Sequence, residues 1–113
     1  VHPKNENRVY AFGVSKVVSD DAGKTWKQWE ATDTTSAWTH GDNHALWIDP
    51  QNTDRIILGN DGGVSITLNG GVKWKNFFDK IPTTQFYTVT YDMKQPFNIF
   101  GAVQDEGTMS GNV

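Results

Sequence analysis

Two short stretches decide the fold: Ser19–Trp26 has the sequence SDDAGKTW, and Thr67–Trp74 has the sequence TLNGGVKW. Both follow one pattern, in which Ser or Thr, Asp or Asn, Gly, and Thr or Lys stand at alternate positions and Trp follows. Gly23 and Gly71 lie 48 residues apart. A repeat of this length is typical of stacked structural modules, here β-sheets that end in a tight turn. We call these stretches the first octet and the second octet.

The side chains of the first octet explain its turn. Asp21 has a short carboxylate that accepts hydrogen bonds from backbone N–H groups further along the chain. Gly23 adopts positive φ without steric cost, and Thr25 begins the next strand. Trp26 then places a large ring between layers of the fold, where it buries about 150–250 Å².

The second octet has the same layout with different residues. Thr67, Asn69 and Lys73 stand where the first octet has Ser, Asp and Thr, so we expect a looser turn. The predicted turn residues are Ser19, Asp21, Gly23, Thr25, Trp26, Thr67, Asn69, Gly71 and Trp74.

The repeat extends beyond the octets. Three copies of a Pro-containing turn each lead to a β-branched or aromatic run and then Gly. The three turns with their runs are 2–5 with 8–13, 49–52 with 55–59, and 92–96 with 98–101. Alternation and β-branched enrichment predict ten strands and no helix. The predicted strands are Arg8–Phe12, Lys16–Val18, Thr25–Trp29, His44–Ile48, Arg55–Leu58, Val64–Thr67, Lys73–Phe77, Phe86–Tyr91, Asn98–Val103 and Thr108–Val113.

The octets resemble the Asp-box, also called the BNR repeat. Four longer stretches resemble the sortilin-type and xyloglucanase-like branch of these β-propeller proteins, many of which are bacterial and secreted. The stretches are HGDNHALWIDP (40–50), IILGNDGGV (56–64), QFYTVTYD (85–92) and GAVQDEG (101–107). The wider family includes sialidases, glucanases, sorting receptors and assembly factors, so the resemblance implies a fold without choosing one activity.

The resemblance implies an all-β fold of consecutive four-stranded antiparallel blades, incomplete as given. With four strands to a blade, residues 1–36 supply the last three strands of one blade with the first octet. Residues 37–79 form a complete blade with the second octet, and residues 80–113 supply the first strands of a third. A propeller closes with about four to eight blades. We therefore expect the rest of the propeller, or neighbouring chains, to cover the open edges.

Composition excludes several functional classes. The chain of 113 residues has a net charge of −3 and no basic cluster, which argues against a nucleic-acid partner. No apolar run is long enough to span a bilayer. The chain has no cysteine, so disulfides and Cys-ligated metals are excluded. No Gly-rich phosphate loop opens a helix, and we predict no cofactor.

Location follows from the resemblance and from where the chain starts. The absence of cysteine fits either a bacterial relative or an intracellular protein, and from the resemblance we expect a secreted or periplasmic bacterial protein. The chain opens within a repeat, so we expect any targeting segment to lie upstream.

Alternating strand direction sorts the loops into two sets. The octets and the Pro-containing turns fall at one end of the sheets. The segments Trp38–Asn43, Asn60–Gly63 and Gln104–Gly107 fall at the other end, and they carry most of the polar chemistry.

His40, Asp42 and His44 form the pattern H-x-D-x-H in this second set. If the segment is extended, the three side chains point the same way. They are then weak candidates for a divalent cation site, or for a hydrogen-bonded His–Asp pair. The alternative, which we favour, is that His44 packs at the start of a strand while Asp42 caps a turn. We predict no bound metal.

Asp61 and Asp105 occupy matching places after two strands. Two carboxylates can act as acid and base on a glycosidic bond, but Asp-Gly sequences more often use Asp to build the turn. Trp38 is the best candidate to stack on a sugar ring, whereas Phe86 and Tyr87 are more often packing residues. The predicted ligand-binding residues are Trp38, His40, Asp42, His44, Asp61, Gln104 and Asp105.

The sequence is compatible with three functions. The favoured hypothesis is a binding segment of a larger propeller whose polar loops contact protein or glycan, without catalysis by this chain alone. The second is part of a secreted glycoside hydrolase, xyloglucanase-like or sialidase-like, with the chain supplying one wall of the cleft. Only Arg8 and Arg55 are available to bind a sialic acid carboxylate, which argues against the sialidase. The third is an accessory or assembly subunit of a larger complex.

Overall fold

The computed structural model describes residues 1–78, 80, 86–104 and 107–112. Within these ranges the chain forms ten strands and no helix, and every strand pair is antiparallel. The sheets have three or four strands, which confirms the all-β fold class. The chain divides into two compact units, residues 1–81 and 82–113.

The first unit contains two sheets. Its strands are β1 (Val9–Phe12), β2 (Lys16–Ser19), β3 (Lys27–Gln28), β4 (Asn43–Ile48), β5 (Ile56–Asn60), β6 (Gly63–Thr67) and β7 (Lys75–Asn76). Strands β1, β2 and β3 form one sheet in chain order, and β4 to β7 form the other, also in chain order. Each sheet is therefore a simple meander, as expected for strands joined by short turns.

The second unit is one three-stranded meander. It contains β8 (Phe86–Tyr91), β9 (Asn98–Val103) and β10 (Gly107–Asn112), with β9 in the centre. The bounds of β8 and β9 agree with the sequence prediction. β3 and β7 are shorter than predicted, with two residues each, because the octet turn continues to the Trp and delays the start of strand pairing.

The core of the first unit lies between its two sheets. The buried apolar side chains are Val18, Trp29, Ile48, Ile56, Leu58 and Trp74. The rings of Trp29 and Trp74 meet edge to face, with centroids 5.5 Å apart and planes at 72°, and Tyr10 packs on Trp29 with centroids 4.7 Å apart. Such aromatic pairs stabilise a fold beyond their buried area.

The first octet closes its turn with side-chain hydrogen bonds from Ser19, Asp21 and Thr25. The Ser19 hydroxyl donates to Asp21 Oδ1 over 2.7 Å and accepts from the Gly23 N–H over 2.8 Å. Asp21 also accepts from the Thr25 N–H over 2.8 Å and from the Thr25 hydroxyl over 2.6 Å. The Thr25 hydroxyl, then the Thr25 N–H and the Ser19 hydroxyl, lower the pKa of Asp21 to about 2.

The second octet repeats all but one of these bonds. The Thr67 hydroxyl donates to Asn69 Oδ1 over 2.8 Å and accepts from the Gly71 N–H over 3.1 Å. Asn69 Oδ1 accepts from the Lys73 N–H over 2.9 Å. Lys73 has no hydroxyl, so the bond that Thr25 makes in the first octet has no counterpart. The second turn is looser in this sense, as its sequence predicts.

The prediction that both octet Trp rings lie between layers is right for Trp74 and wrong for Trp26. Trp74 is 2% exposed, whereas Trp26 is 44% exposed. The difference arises because Trp29 of the neighbouring sheet covers Trp74, and within the first unit no sheet covers Trp26 in this way. The Trp26 indole N–H donates instead to the Gly23 carbonyl of its own octet, over 3.0 Å.

The two ends of the sheets in the first unit carry different residues, as the strand register shows. Asn43 pairs with Asn60, and Ser65 pairs with Asn76, at what we call the polar end. The octets lie at the opposite end, which we call the octet end. At the octet end, each octet is hydrogen-bonded to another turn of its own sheet. The Ala22 N–H donates to the Asn7 carbonyl over 2.8 Å, and the Gly70 N–H donates to the Asp54 carbonyl over 2.9 Å.

Candidate functional site

The polar end of the four-stranded sheet is built where β4 begins and β5 ends. Asn43 lies opposite Asn60, and pairing resumes with Ala45 opposite Gly59, so the register shifts at His44. An extra residue of this kind is a β-bulge, which redirects a side chain and is frequent beside functional sites. The bulge leaves the His44 side chain 67% exposed.

His44 forms a short hydrogen bond with Asp61. The distance from His44 Nε2 to Asp61 Oδ1 is 2.5 Å, and the Asp61 side chain is 24% exposed. A carboxylate only accepts hydrogen bonds, so Nε2 is the donor to Asp61. The sequence suggested a His–Asp pair within H-x-D-x-H or a turn built by Asp61, and the observed pair joins His44 to Asp61 instead.

His40 lies beside this pair and packs closely against Trp38, Phe78 and Gly62. Its imidazole meets the rings of Trp38 and Phe78 edge to face, with centroids 5.5 and 6.3 Å away. A Cβ added to Gly62 would lie 2.9 Å from His40 Cβ, so only glycine allows this approach. Because Gly62 follows Asp61 in the chain, these contacts connect Trp38 through His40 to the His44–Asp61 pair. We call this set, Trp38, His40, His44 and Asp61, the polar strip.

Trp38 supplies the exposed aromatic surface of the polar strip. It is 70% exposed and lies outside any strand, as the sequence predicts. Its carbonyl accepts a hydrogen bond from Asn76 Nδ2, and Asn76 Oδ1 in turn accepts from the Ser65 hydroxyl over 2.8 Å. The backbone at Trp38 is therefore tied to β6 and β7, and the ring remains open to solvent.

Asp42 does not join the other residues of H-x-D-x-H. Its φ is 51°, in the left-handed region, so the segment is not extended there and the condition for three side chains on one side fails. Among the residues that the structure describes, no three His, Cys, Asp or Glu side chains come close enough to hold a metal ion.

Buried polar groups fasten the segment before β4 to the first sheet, and the sequence analysis missed them. Asn43 donates to the Gly13 carbonyl from its backbone N–H over 2.7 Å and from Nδ2 over 3.0 Å. The Lys16 side chain is buried and donates to Thr39 Oγ1 over 2.7 Å. The sequence does contain a signal for the burial of Lys16. It stands two residues before the apolar Val18 in β2, and alternate residues of a strand share a face.

The remaining predicted residues belong to the second unit. Gln104 lies partly buried in the turn after β9. Asp105 lies outside the described residues. Phe86 is 48% exposed and Tyr87 is 74% exposed, so neither is buried as a packing residue in the described chain.

The arginines lie at the octet end, away from the polar strip. Arg8 Nη1 is 3.1 Å from Asp20 Oδ1, and Arg55 Nη1 is 3.1 Å from Asp49 Oδ2. Each arginine thus has a carboxylate partner within the chain.

Comparison with known proteins shows a likeness to a solved structure. No protein-family model matches the chain, and no curated protein matches it. Among solved structures, the chain is similar to the crystal structure of an ancestral GH74 enzyme, with 18% sequence identity and a TM-score of 0.58. The similarity covers 91% of this chain and 13% of that enzyme chain. At this identity the likeness supports a propeller-like fold and leaves activity open.

The chain spans only a small part of the length of that enzyme.

Among the described residues, no helix is long and apolar enough to cross a membrane.

Proposed function

We propose that this chain is a glycan-binding segment of a larger Asp-box β-propeller, with residues 1–36, 37–79 and 80–113 as parts of three consecutive blades. The polar strip is the binding surface. The observed fold of the chain, three antiparallel meanders in chain order, supports the blade assignment.

The observation that carries this proposal is the His44–Asp61 hydrogen bond beside an exposed Trp38. The bond fixes the orientation of a mostly exposed imidazole, so its Nδ1 is held in position to form a hydrogen bond with a hydroxyl group, which can donate or accept. Asp61 Oδ2 is a further hydrogen-bond acceptor. An exposed indole offers a flat apolar face of the kind that packs against the C–H face of a sugar ring.

A sugar ring combines one apolar face with hydroxyl groups at its edge, which matches this combination of an aromatic ring and polar atoms. A stable protein–protein interface typically buries about 800 Å² on each partner around an apolar centre. The polar strip holds one large exposed apolar side chain, Trp38, so a glycan fits it better.

A glycoside hydrolase parent is the second candidate, favoured by the similarity to the ancestral GH74 enzyme. Hydrolysis requires two carboxyl groups, about 5–5.5 Å apart in retaining enzymes or about 6.5–9.5 Å apart in inverting enzymes. Asp61 supplies one carboxylate at the polar end. In this hypothesis the second carboxylate comes from elsewhere in the protein, and we also expect the parent to be secreted or periplasmic, where polysaccharide substrates occur.

Titration of the chain with β-linked gluco-oligosaccharides tests glycan binding. We expect His44→Ala, Asp61→Asn and Trp38→Ala each to weaken binding about tenfold or more, equivalent to about 1.4 kcal/mol. Lys24→Ala, at the octet end, is the matched control and should bind as the wild type does. Absence of binding by the wild type to glucan, xylan and sialoside probes, or equal binding by all variants, would contradict the proposal.

Assays of the full-length protein separate the two candidates. Release of reducing sugar from a β-glucan, lost in Asp61→Asn, would identify a hydrolase. Glycan binding without turnover would support a binding protein.

A further inference from the structure

Asn69 of the second octet precedes a glycine, Gly70, and none of the other asparagines of the sequence does. The side-chain amide carbon of an asparagine can be attacked by the backbone nitrogen of the next residue, and a following glycine has no Cβ to hinder that approach. Asn69 is exposed, so water and hydroxide have access to it. The second octet therefore carries the residue pair of this chain that is chemically most open to deamidation.

Deamidation of this pair requires only water and hydroxide. Hydroxide removes the proton of the Gly70 N–H, and the nitrogen then forms a bond to Asn69 Cγ. The side-chain nitrogen takes a proton from water and leaves as ammonia, so the product is a succinimide ring. Water opens this ring at either carbonyl. Cleavage between Cγ and the Gly70 nitrogen gives aspartate, whereas cleavage at the main-chain carbonyl of residue 69 gives isoaspartate.

The hydrogen bonds of the folded octet oppose the first of these steps. The Gly70 N–H donates to the Asp54 carbonyl over 2.9 Å, so loss of its proton would leave two electron-rich atoms facing each other. Asn69 Oδ1 accepts from the Thr67 hydroxyl over 2.8 Å and from the Lys73 N–H over 2.9 Å. Any rotation of the side-chain amide breaks both bonds, and such losses leave their partners unsatisfied.

Trp29 of the first sheet and the connector that follows it hold the octet in this closed form. A Cβ added to Gly71 would lie 2.6 Å from Trp29 Nε1, so the ring presses directly on the turn. The N–H groups of Thr32 and Asp33 both donate to the Val72 carbonyl, over 3.1 and 3.0 Å. Opening of the second octet therefore requires that its contacts with the first sheet and the connector are broken as well.

We propose that Asn69 is a modification site of this chain, at which deamidation proceeds when the second octet opens and is suppressed while it is closed. The observed rate is then the rate in the open form multiplied by the population of that form, as for any reaction that depends on local opening. The site lies at the octet end, and the proposal does not depend on glycan binding.

The two products have different consequences for the octet. Asp21 of the first octet already shows that a carboxylate fits this position, where it accepts from the Ser19 hydroxyl and the Thr25 N–H. The aspartate product therefore refits the turn. Isoaspartate adds one carbon to the main chain before Gly70, which displaces the N–H that bonds the Asp54 carbonyl.

Mass spectrometry of proteolytic peptides measures the conversion after incubation at mildly alkaline pH. We expect Asn69 to convert at least about tenfold more slowly in the folded wild-type chain than in the same chain unfolded in guanidinium chloride. Equal rates in the two states would overturn the proposal. Faster conversion of another asparagine than of Asn69 in the unfolded chain would overturn the choice of site.

Three variants test whether the closed octet itself protects the site. Thr67→Ala removes the hydroxyl that holds Asn69 Oδ1 and should raise the rate in the folded chain about tenfold, as expected from a lost buried hydrogen bond. Thr67→Ser keeps the hydroxyl and should react as slowly as the wild type. Ser19→Ala makes the matched change in the first octet and should leave the rate at Asn69 unchanged.

The dispersion of amide resonances shows whether each variant is folded. A Thr67→Ala chain that is folded but converts at the wild-type rate would overturn the role of the closed octet, and so would an equal rise in Ser19→Ala. Where Thr67→Ala does not fold, the comparison between folded and denatured wild-type chain decides the proposal by itself.

Discussion

At the scale of single residues, Asp21 and Asn69 show how one turn is built with and without a charge. Both accept from the hydroxyl two residues before and from the N–H four residues after. Only Asp21 also holds a hydroxyl on its second oxygen, that of Thr25. The carboxylate is therefore stabilised in its ionised form, whereas the amide of Asn69 has no charge to titrate.

Asp21 should make stability depend on pH in the acidic range. Its pKa is about 2 in the folded chain against an ordinary 3.8. A lowered pKa contributes stability that is fully present above pH 3.8 and is lost as the pH falls toward 2. Thermal unfolding followed by circular dichroism between pH 6 and pH 2 should show a shallower loss for Asp21→Asn than for the wild type. Parallel profiles for the two proteins would contradict this assignment.

The bonding of Asp61 is a second residue-scale result. From sequence, this carboxylate is interpreted most simply as a turn builder, since Asp-Gly-Gly has that preference. The bulge at His44 could not be seen in the sequence, because it depends on the register between β4 and β5. That register shift brings the imidazole to the carboxylate, and it explains why the two residues were predicted separately and not as a pair.

At the scale of elements, the octet turn and the neighbouring sheet interlock at Gly71. Both octet glycines have positive φ, 88° for Gly23 and 96° for Gly71, so alanine is strained at either position. Gly71→Ala should in addition collide with Trp29 and cost about 1–3 kcal/mol more than Gly23→Ala, the usual range for overpacking. Urea denaturation of the two variants measures the difference. Equal losses would show that Trp29 does not press on the second octet.

The two octet tryptophans should differ in the same way. Trp74→Ala removes a buried ring from the core and should cost about 3–5 kcal/mol. Trp26→Ala removes a half-exposed ring and should cost about 1 kcal/mol or less in this chain. Calorimetric unfolding of both variants checks the order, and a larger loss for Trp26→Ala would refute the burial that we describe.

Most strands could be predicted from the sequence because alternation and turn residues act locally. Asp92 and Pro96 mark the turn between β8 and β9, and the bounds of these two strands agree with the prediction. The burial of Trp74 and the exposure of Trp26 could not be separated this way. Identical local sequence roles give different burial when only one of the two turns has a neighbouring sheet.

At the scale of the whole molecule, the first unit behaves as two repeats that pack side by side. The aromatic residue after one octet covers the next octet, and polar residues gather at the opposite end of the sheets. In this arrangement the octet end joins the two sheets, and the polar end is where we propose that a ligand binds. The His44–Asp61 pair and Trp38 are therefore positioned by sheets whose packing depends on other residues.

The contact between Trp29 and Gly71 tests this arrangement most directly, since it joins the two repeats at one point. Nuclear Overhauser measurements on the labelled chain should show strong cross-peaks from the Trp29 indole N–H to the Gly71 α-protons and to the Trp74 ring. A Trp29 indole whose cross-peaks are confined to its own sheet, with none to the second octet, would contradict the side-by-side packing of the repeats.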